Sequence, residues 1–103
     1  MIARTWHGLA ASATDANAYE AHFRTAVLPE LEQLAGFREA RLLRREEDGE
    51  VEFIALTFFD SIEAVRGFAG EDYEQAVVAP QARRVLSRFD QRSVHYEVVV
   101  HPG

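Results

Sequence analysis

The stretch Val51-Glu52-Phe53-Ile54-Ala55-Leu56-Thr57-Phe58-Phe59 is apolar on both sides of an extended chain. Successive side chains of a strand point to opposite faces, so a half-solvated antiparallel strand alternates apolar with polar residues. Here Val51, Phe53, Ala55 and Phe59 share one face, and Ile54, Leu56 and Phe58 share the other. The helices that 103 residues can supply cover one of these faces. A second copy of the chain is the economical cover for the other, so the expectation is a homodimer joined sheet to sheet.

The length fits one domain over residues 1–103. With 48% hydrophobic residues and seven phenylalanines, the chain has the means to build an ordered core. A net charge of −6 argues against a nucleic-acid binder that works by neutralising phosphates. The absence of cysteine excludes disulfides, thiolate metal sites and cysteine nucleophiles. No 18-residue apolar run occurs, and Met1-Ile2-Ala3-Arg4-Thr5-Trp6 lacks the basic-then-apolar layout of a signal peptide. A soluble cytoplasmic protein with no membrane partner is expected.

Ile2 to Ala10 reads as a first strand. Thr14-Asp15 offer N-cap chemistry for a helix reaching about Leu34, with Tyr19, Phe23, Ala26, Val27, Leu31 and Leu34 at helical spacing. Pro29 removes a backbone donor inside that pattern and predicts a kink or break near Thr25–Leu28. Gly36 supplies a left-handed stop. Arg38–Glu46 and Val51–Phe59 form a hairpin about Asp48-Gly49, which sets Arg45 opposite Glu52 and Leu43 opposite Ile54. Asp60 and Glu63 resemble a capping box for a second helix ending at Gly70. Tyr73, Ala76 and Val77 suggest a helical turn, Pro80 opens a last helix with Ala82, Val85, Leu86 and Phe89 buried, and Ser93–Val100 is the final strand. The order β-α-β-β-α-β, with helical additions before the last strand, is the split βαβ pattern of an α+β ferredoxin-like fold with a four-stranded antiparallel sheet.

The opening strand Ile2–Trp6, Leu28-Pro29-Glu30-Leu31, Gly36-Phe37, the run Leu56–Ala64 and Phe68-Ala69-Gly70-Glu71-Asp72-Tyr73 together resemble the antibiotic biosynthesis monooxygenase family over nearly the whole chain. That resemblance implies a dimeric α+β barrel. It also points to a family that includes cofactor-free oxygenases, quinol oxidases, haem-degrading enzymes and members without known activity. Haem-degrading members use an Asn on the first strand, a Trp on the second helix and a His ten residues later. Alignment sets His7, Phe68 and Val78 at those positions, and valine cannot coordinate iron.

His7 is expected on the same face as Thr5, between sheet and helices if the family geometry holds. There a neutral imidazole would take a proton from an acidic phenol or enol and yield a carbanion that reacts with oxygen. The plainer alternative is a histidine at a strand end bound to backbone or water. Arg4 and Trp6 occupy the opposite face and are assigned with Phe53 to the dimer interface, where Trp and Arg are enriched. Tyr73 offers a phenolic donor at a pocket mouth or anchors a short helix. Phe23 and Phe68 serve as core or pocket walls. His95 and Glu97 point the same way, but without a third ligand they make no metal site. His22 is assigned to a helix flank and His101 to the tail. The reading is a cofactor-independent monooxygenase acting on a small aromatic, polyketide-like or quinol-like compound. The alternative is a dimer that binds a small apolar molecule, or haem, without catalysis. No metal or cofactor is called for.

Overall fold

The computed structural model describes residues 1–102. Its sheet is built around β1 (Ile2–Ala10), whose two edges are both paired. On one side β1 pairs antiparallel with β3 (Glu50–Phe59), and β3 with β2 (Phe37–Glu47). On the other side two short strands share the fourth position: β4 (Arg88–Phe89) opposite Gly8-Leu9, and β5 (Val94–Glu97) opposite Ile2–Thr5. The spatial order β2-β3-β1 followed by the C-terminal strands is that of the expected ferredoxin-like fold, with its fourth position split in two.

The hairpin follows the sequence signal. Asp48 (φ 52°) and Gly49 (φ 82°) both lie in the left-handed region, as a two-residue turn matched to strand twist requires. Arg45 stands opposite Glu52 and Leu43 opposite Ile54.

Helix α1 (Ala13–His22) is capped by Ser12, two residues earlier than expected, its hydroxyl accepting from the Asp15 amide at 3.2 Å. The helix continues without a break through a π-helical segment, Phe23–Val27, into α2 (Leu28–Glu32). Pro29 has no N–H to return to the preceding turn, and the disturbance expected there takes the form of a π turn in which the Leu28 amide donates to the Phe23 carbonyl. Gly36 (φ 84°) closes the connection to β2. Helix α3 (Ile62–Ala69) is capped by Ser61 rather than Asp60, the hydroxyl accepting from the Ala64 amide, and Gly70 ends it.

Two C-terminal expectations are corrected. Tyr73–Val77 is not helical; it is an irregular segment pinned by a bridge between Gln75 and Arg92. Helix α4 (Pro80–Val85) starts at Pro80 but stops well before Phe89, because Arg88 and Phe89 leave it to pair with the free edge of β1. β5 is also shorter than Ser93–Val100, and Val99 and Val100 project into solvent.

The helices cover one face of the sheet. Val51, Phe53, Ala55, Thr57 and Phe59 lie beneath them, and the apolar ones belong to two neighbouring clusters centred on Phe53 with Tyr19 and on Phe59 with Leu31 and Val65. Ile54, Leu56 and Phe58 occupy the uncovered face with Leu43, Val94 and Tyr96. Phe53 is fully buried against Tyr19 (ring centroids 4.9 Å apart) inside its own chain, so it is a core residue and not the interface residue expected.

Candidate functional site

Directly opposed residues of an antiparallel pair share a face. Trp6 faces Ala55 and Arg4 faces Thr57, so both lie under the helices. This corrects the sequence expectation for β1, which placed Thr5 and His7 inward and Arg4 and Trp6 at a dimer interface. Trp6 is buried, its indole Nε1 donating to the Asp90 carbonyl at 2.9 Å. Its six-membered ring lies over Gly8, where an added Cβ would stand 2.7 Å from the ring edge.

Above this floor the helical layer leaves a cavity of about 120 Å³. Trp6 and Ala55 contribute from the sheet, Tyr19, His22, Phe23, Ala26 and Val27 from α1 and the π turn, Phe68 from α3, and Val78 with Ala82 from the C-terminal segment. An apolar cavity of roughly 150 Å³ holds one benzene molecule. The space thus suits a single small ring.

Two basic side chains, Arg4 and His22, line it, with the exposed Glu30 at its outer wall. Arg4 is only 4% exposed, yet remains a cation: burial lowers its pKa, to about 10. It donates to the backbone carbonyls of Tyr73 and Gln75, and Phe68 lies under the guanidinium with its ring centroid 5.6 Å away. Arg4 Nη1 also stands 3.0 Å from His95 Nε2. A guanidinium only donates, so Nε2 accepts and the His95 proton sits on Nδ1, which is buried without a partner among the described residues. Burial, then the Arg4 charge, lower the His95 pKa.

His22 is the second group. It lines the cavity, and its Nε2 is buried with no hydrogen-bond partner among the described residues. Its neighbour Tyr19, 6.3 Å away by ring centroid, has a phenol held well above its ordinary pKa by burial, which keeps it neutral.

Of the residues singled out from sequence, Phe23 and Phe68 line the cavity. Thr5 lies on the uncovered face, bonded through its hydroxyl to the Val94 carbonyl. His7 lies there too, half exposed, with Nδ1 3.1 Å from the Asp90 carboxylate. Tyr73 meets Arg4 through its carbonyl and packs edge-on against His95 outside the cavity wall. His22 was assigned to a helix flank, although Tyr19, His22, Phe23 and Ala26 follow the i, i+3, i+4, i+7 spacing of one stripe.

Comparison with solved structures confirms the class of fold: it is the one found in antibiotic biosynthesis monooxygenase structures. A protein assigned to that group from Bacillus cereus aligns at 16% identity over 99% of this chain and 94% of its own, with a TM-score of 0.65. MhuD, a haem degrader from Mycobacterium tuberculosis solved with two haems in its active site, aligns at 21% identity over 98% and 99%, TM-score 0.64. SnoaB, a cofactor-independent oxygenase from Streptomyces nogalater, aligns at 17% identity over 99% and 93%, TM-score 0.54. No family model matches the sequence, and neither does any curated protein. Val78, which alignment sets at the position of the His of haem-degrading members, lies in the cavity wall and has no ligating atom, so the residues present do not reproduce that haem-ligand position.

Proposed function

We propose that this chain is a cofactor-independent monooxygenase that oxidises a small phenolic, enolic or quinol-like ring in the helix-side cavity, with His22 as the base. The observation that carries the reading is the buried Nε2 of His22, without a partner among the described residues, at the wall of an otherwise largely apolar cavity. A neutral imidazole there removes the proton of the bound ring's acidic group. The resulting anion is electron-rich and supplies the electrons for oxygen: one oxygen atom enters the product and the other leaves as water. The apolar walls keep solvent from quenching the anion, and Arg4 offsets its charge. His7, turned away from the cavity, has no part in this step.

The working form in this proposal is a homodimer that buries the uncovered sheet face, where Val94 and Tyr96 are 50% and 57% exposed in the single chain. SnoaB, described as a cofactor-independent oxygenase, shares the fold and supports the reaction class. The test is oxygen uptake by the purified, metal-free protein with a panel of dihydroxy-aromatics and single-ring enols. Turnover that disappears in His22→Phe supports the reading, and absence of turnover across the panel turns it toward a binding protein.

A further inference from the structure

Arg4 is a buried cation without a counter-ion among the described residues. Ion pairs elsewhere in the protein match seven other arginines to carboxylates, but no carboxylate among the described residues reaches Arg4. The charged and titratable groups near it do not neutralise it. His95 is neutral, Glu74 is engaged by Arg92, and Glu30 lies exposed at the outer wall of the cavity. Desolvating a lone charge is costly unless it is paired, and two carbonyl acceptors with one aromatic face supply only partial compensation. The donor count leaves capacity as well. Both Nη1 hydrogens and one Nη2 hydrogen are committed, whereas the Nε–H and the second Nη2 hydrogen meet no protein acceptor among the described residues. Nε and Nη2 form one edge of the guanidinium fork, the arrangement that receives a carboxylate through paired hydrogen bonds.

We propose that Arg4 is an anion subsite, and that the cavity takes a single-ring aromatic acid whose carboxylate pairs with the guanidinium. The inference rests on the cavity being the substrate site and goes further in naming the ligand class. Its geometry follows from the layers: Arg4 rises from β1 on the sheet floor, and His22 comes from α1 on the opposite wall. A ring anchored at its carboxylate extends from floor toward helix, and its far hydroxyl meets the imidazole.

Trp6 is the one tryptophan of the chain and lines the same cavity, so its emission reports occupancy without any need for turnover. The experiment titrates the native protein with benzoate and with benzamide, a neutral ligand of nearly the same shape. Benzoate should bind about tenfold or more tightly than benzamide, the worth of a charge-assisted pair over neutral hydrogen bonds. Arg4→Gln should abolish that preference, weakening benzoate far more than benzamide. If that variant fails to fold, Arg4→Lys, which keeps the charge but loses the fork, should weaken benzoate more than benzamide. Equal binding of the two ligands, a preference that survives Arg4→Gln, or no response to either overturns the subsite. Oxygen uptake on neutral quinols judges the oxygenase reading independently, since that reaction does not require a carboxylate.

Discussion

Trp6 and His7 are adjacent in sequence and are tied to one residue from opposite faces of the sheet. The indole of Trp6 donates to the Asp90 carbonyl at 2.9 Å under the helices, and His7 Nδ1 lies 3.1 Å from the Asp90 carboxylate on the uncovered side. Asp90 occupies the gap between β4 and β5, and its amide donates back to the His7 carbonyl at 2.9 Å. The break in the edge strand thus holds His7 on the uncovered face, away from the cavity.

That separation makes the two histidines a sharp pair of variants. His22→Ala should lower turnover about 100-fold or more, as expected when a general base is lost. His7→Ala should leave turnover within about twofold and cost less than about 1 kcal/mol of stability, because an exposed pair contributes little. Steady-state oxygen uptake and denaturant midpoints on both variants check this. A large loss of activity in His7→Ala with His22→Ala intact would reverse the assignment.

Gly8 is required by the ring above it. A Cβ there would sit 2.7 Å from Trp6 Cη2 and 3.0 Å from Cζ3, and the indole cannot swing aside while Nε1 holds Asp90 and Tyr19 and Phe89 pack within about 6 Å. Gly8→Ala should therefore destabilise the protein by about 1–3 kcal/mol, the range for overpacking a filled core. It should also shift Trp6 emission toward longer wavelength. Thermal unfolding followed by fluorescence measures both, and an unchanged midpoint would mean that the ring is free to move.

The fold was legible because its signals are local and agree with one another. The Asp48-Gly49 turn sets the β2–β3 register, the helical stripe marks α1 through α2, and glycines close the segments at residues 36 and 70. The face of β1 was not legible. Ile2, Arg4, Trp6 and Gly8 compete with Ala3, Thr5, His7 and Leu9, and neither set is plainly apolar. A buried arginine runs against every composition rule, and only pairing with β3 reveals it. His22 was hidden for a different reason: its spacing marks it as part of the buried stripe, but a histidine beside Glu20 and Arg24 reads as a polar flank. The end of α4 depended on a tertiary demand, the unpaired edge of β1, that outweighed helical spacing.

The uncovered face gives a prediction about assembly that separates the two sides of β3. Leu56 lies on the open side and Phe53 beneath the helices. Leu56→Arg should convert the proposed homodimer to a folded monomer with near-native circular dichroism, since a charge within an apolar interface of roughly 2,000 Å² or more is left unpaired. Phe53→Ala should act on the chain itself, costing about 3–5 kcal/mol for a large residue removed from the core. Sedimentation at micromolar concentration distinguishes them. A wild-type protein that sediments as a monomer would show that this face has another cover.

The last prediction concerns pH and His95. Its folded pKa lies below the ordinary value of 6.5, first because the ring is partly buried and second because Arg4 repels the imidazolium; Glu74 opposes the shift. Tyr73, packed edge-on at 5.1 Å, is the other titratable group against it. The sign follows from proton counting. As pH falls below about 6.5, the unfolded chain takes up a proton at His95 that the folded chain resists, so the unfolded state binds more protons and stability drops. The loss continues until pH reaches the lowered folded value, and above 6.5 His95 makes no pH-dependent contribution. Asp72, lowered by its hydrogen bond to Arg92, affects stability only in a separate, more acidic window, as pH falls below about 3.8. Urea midpoints should therefore decline between pH 7.5 and 5.5 in the native protein. His95→Asn keeps an acceptor for Arg4 Nη1 but cannot titrate, and its midpoints should decline less across the same interval. Parallel curves for the two proteins would show that His95 is protonated in the folded state, and that its Nε2 does not accept from Arg4.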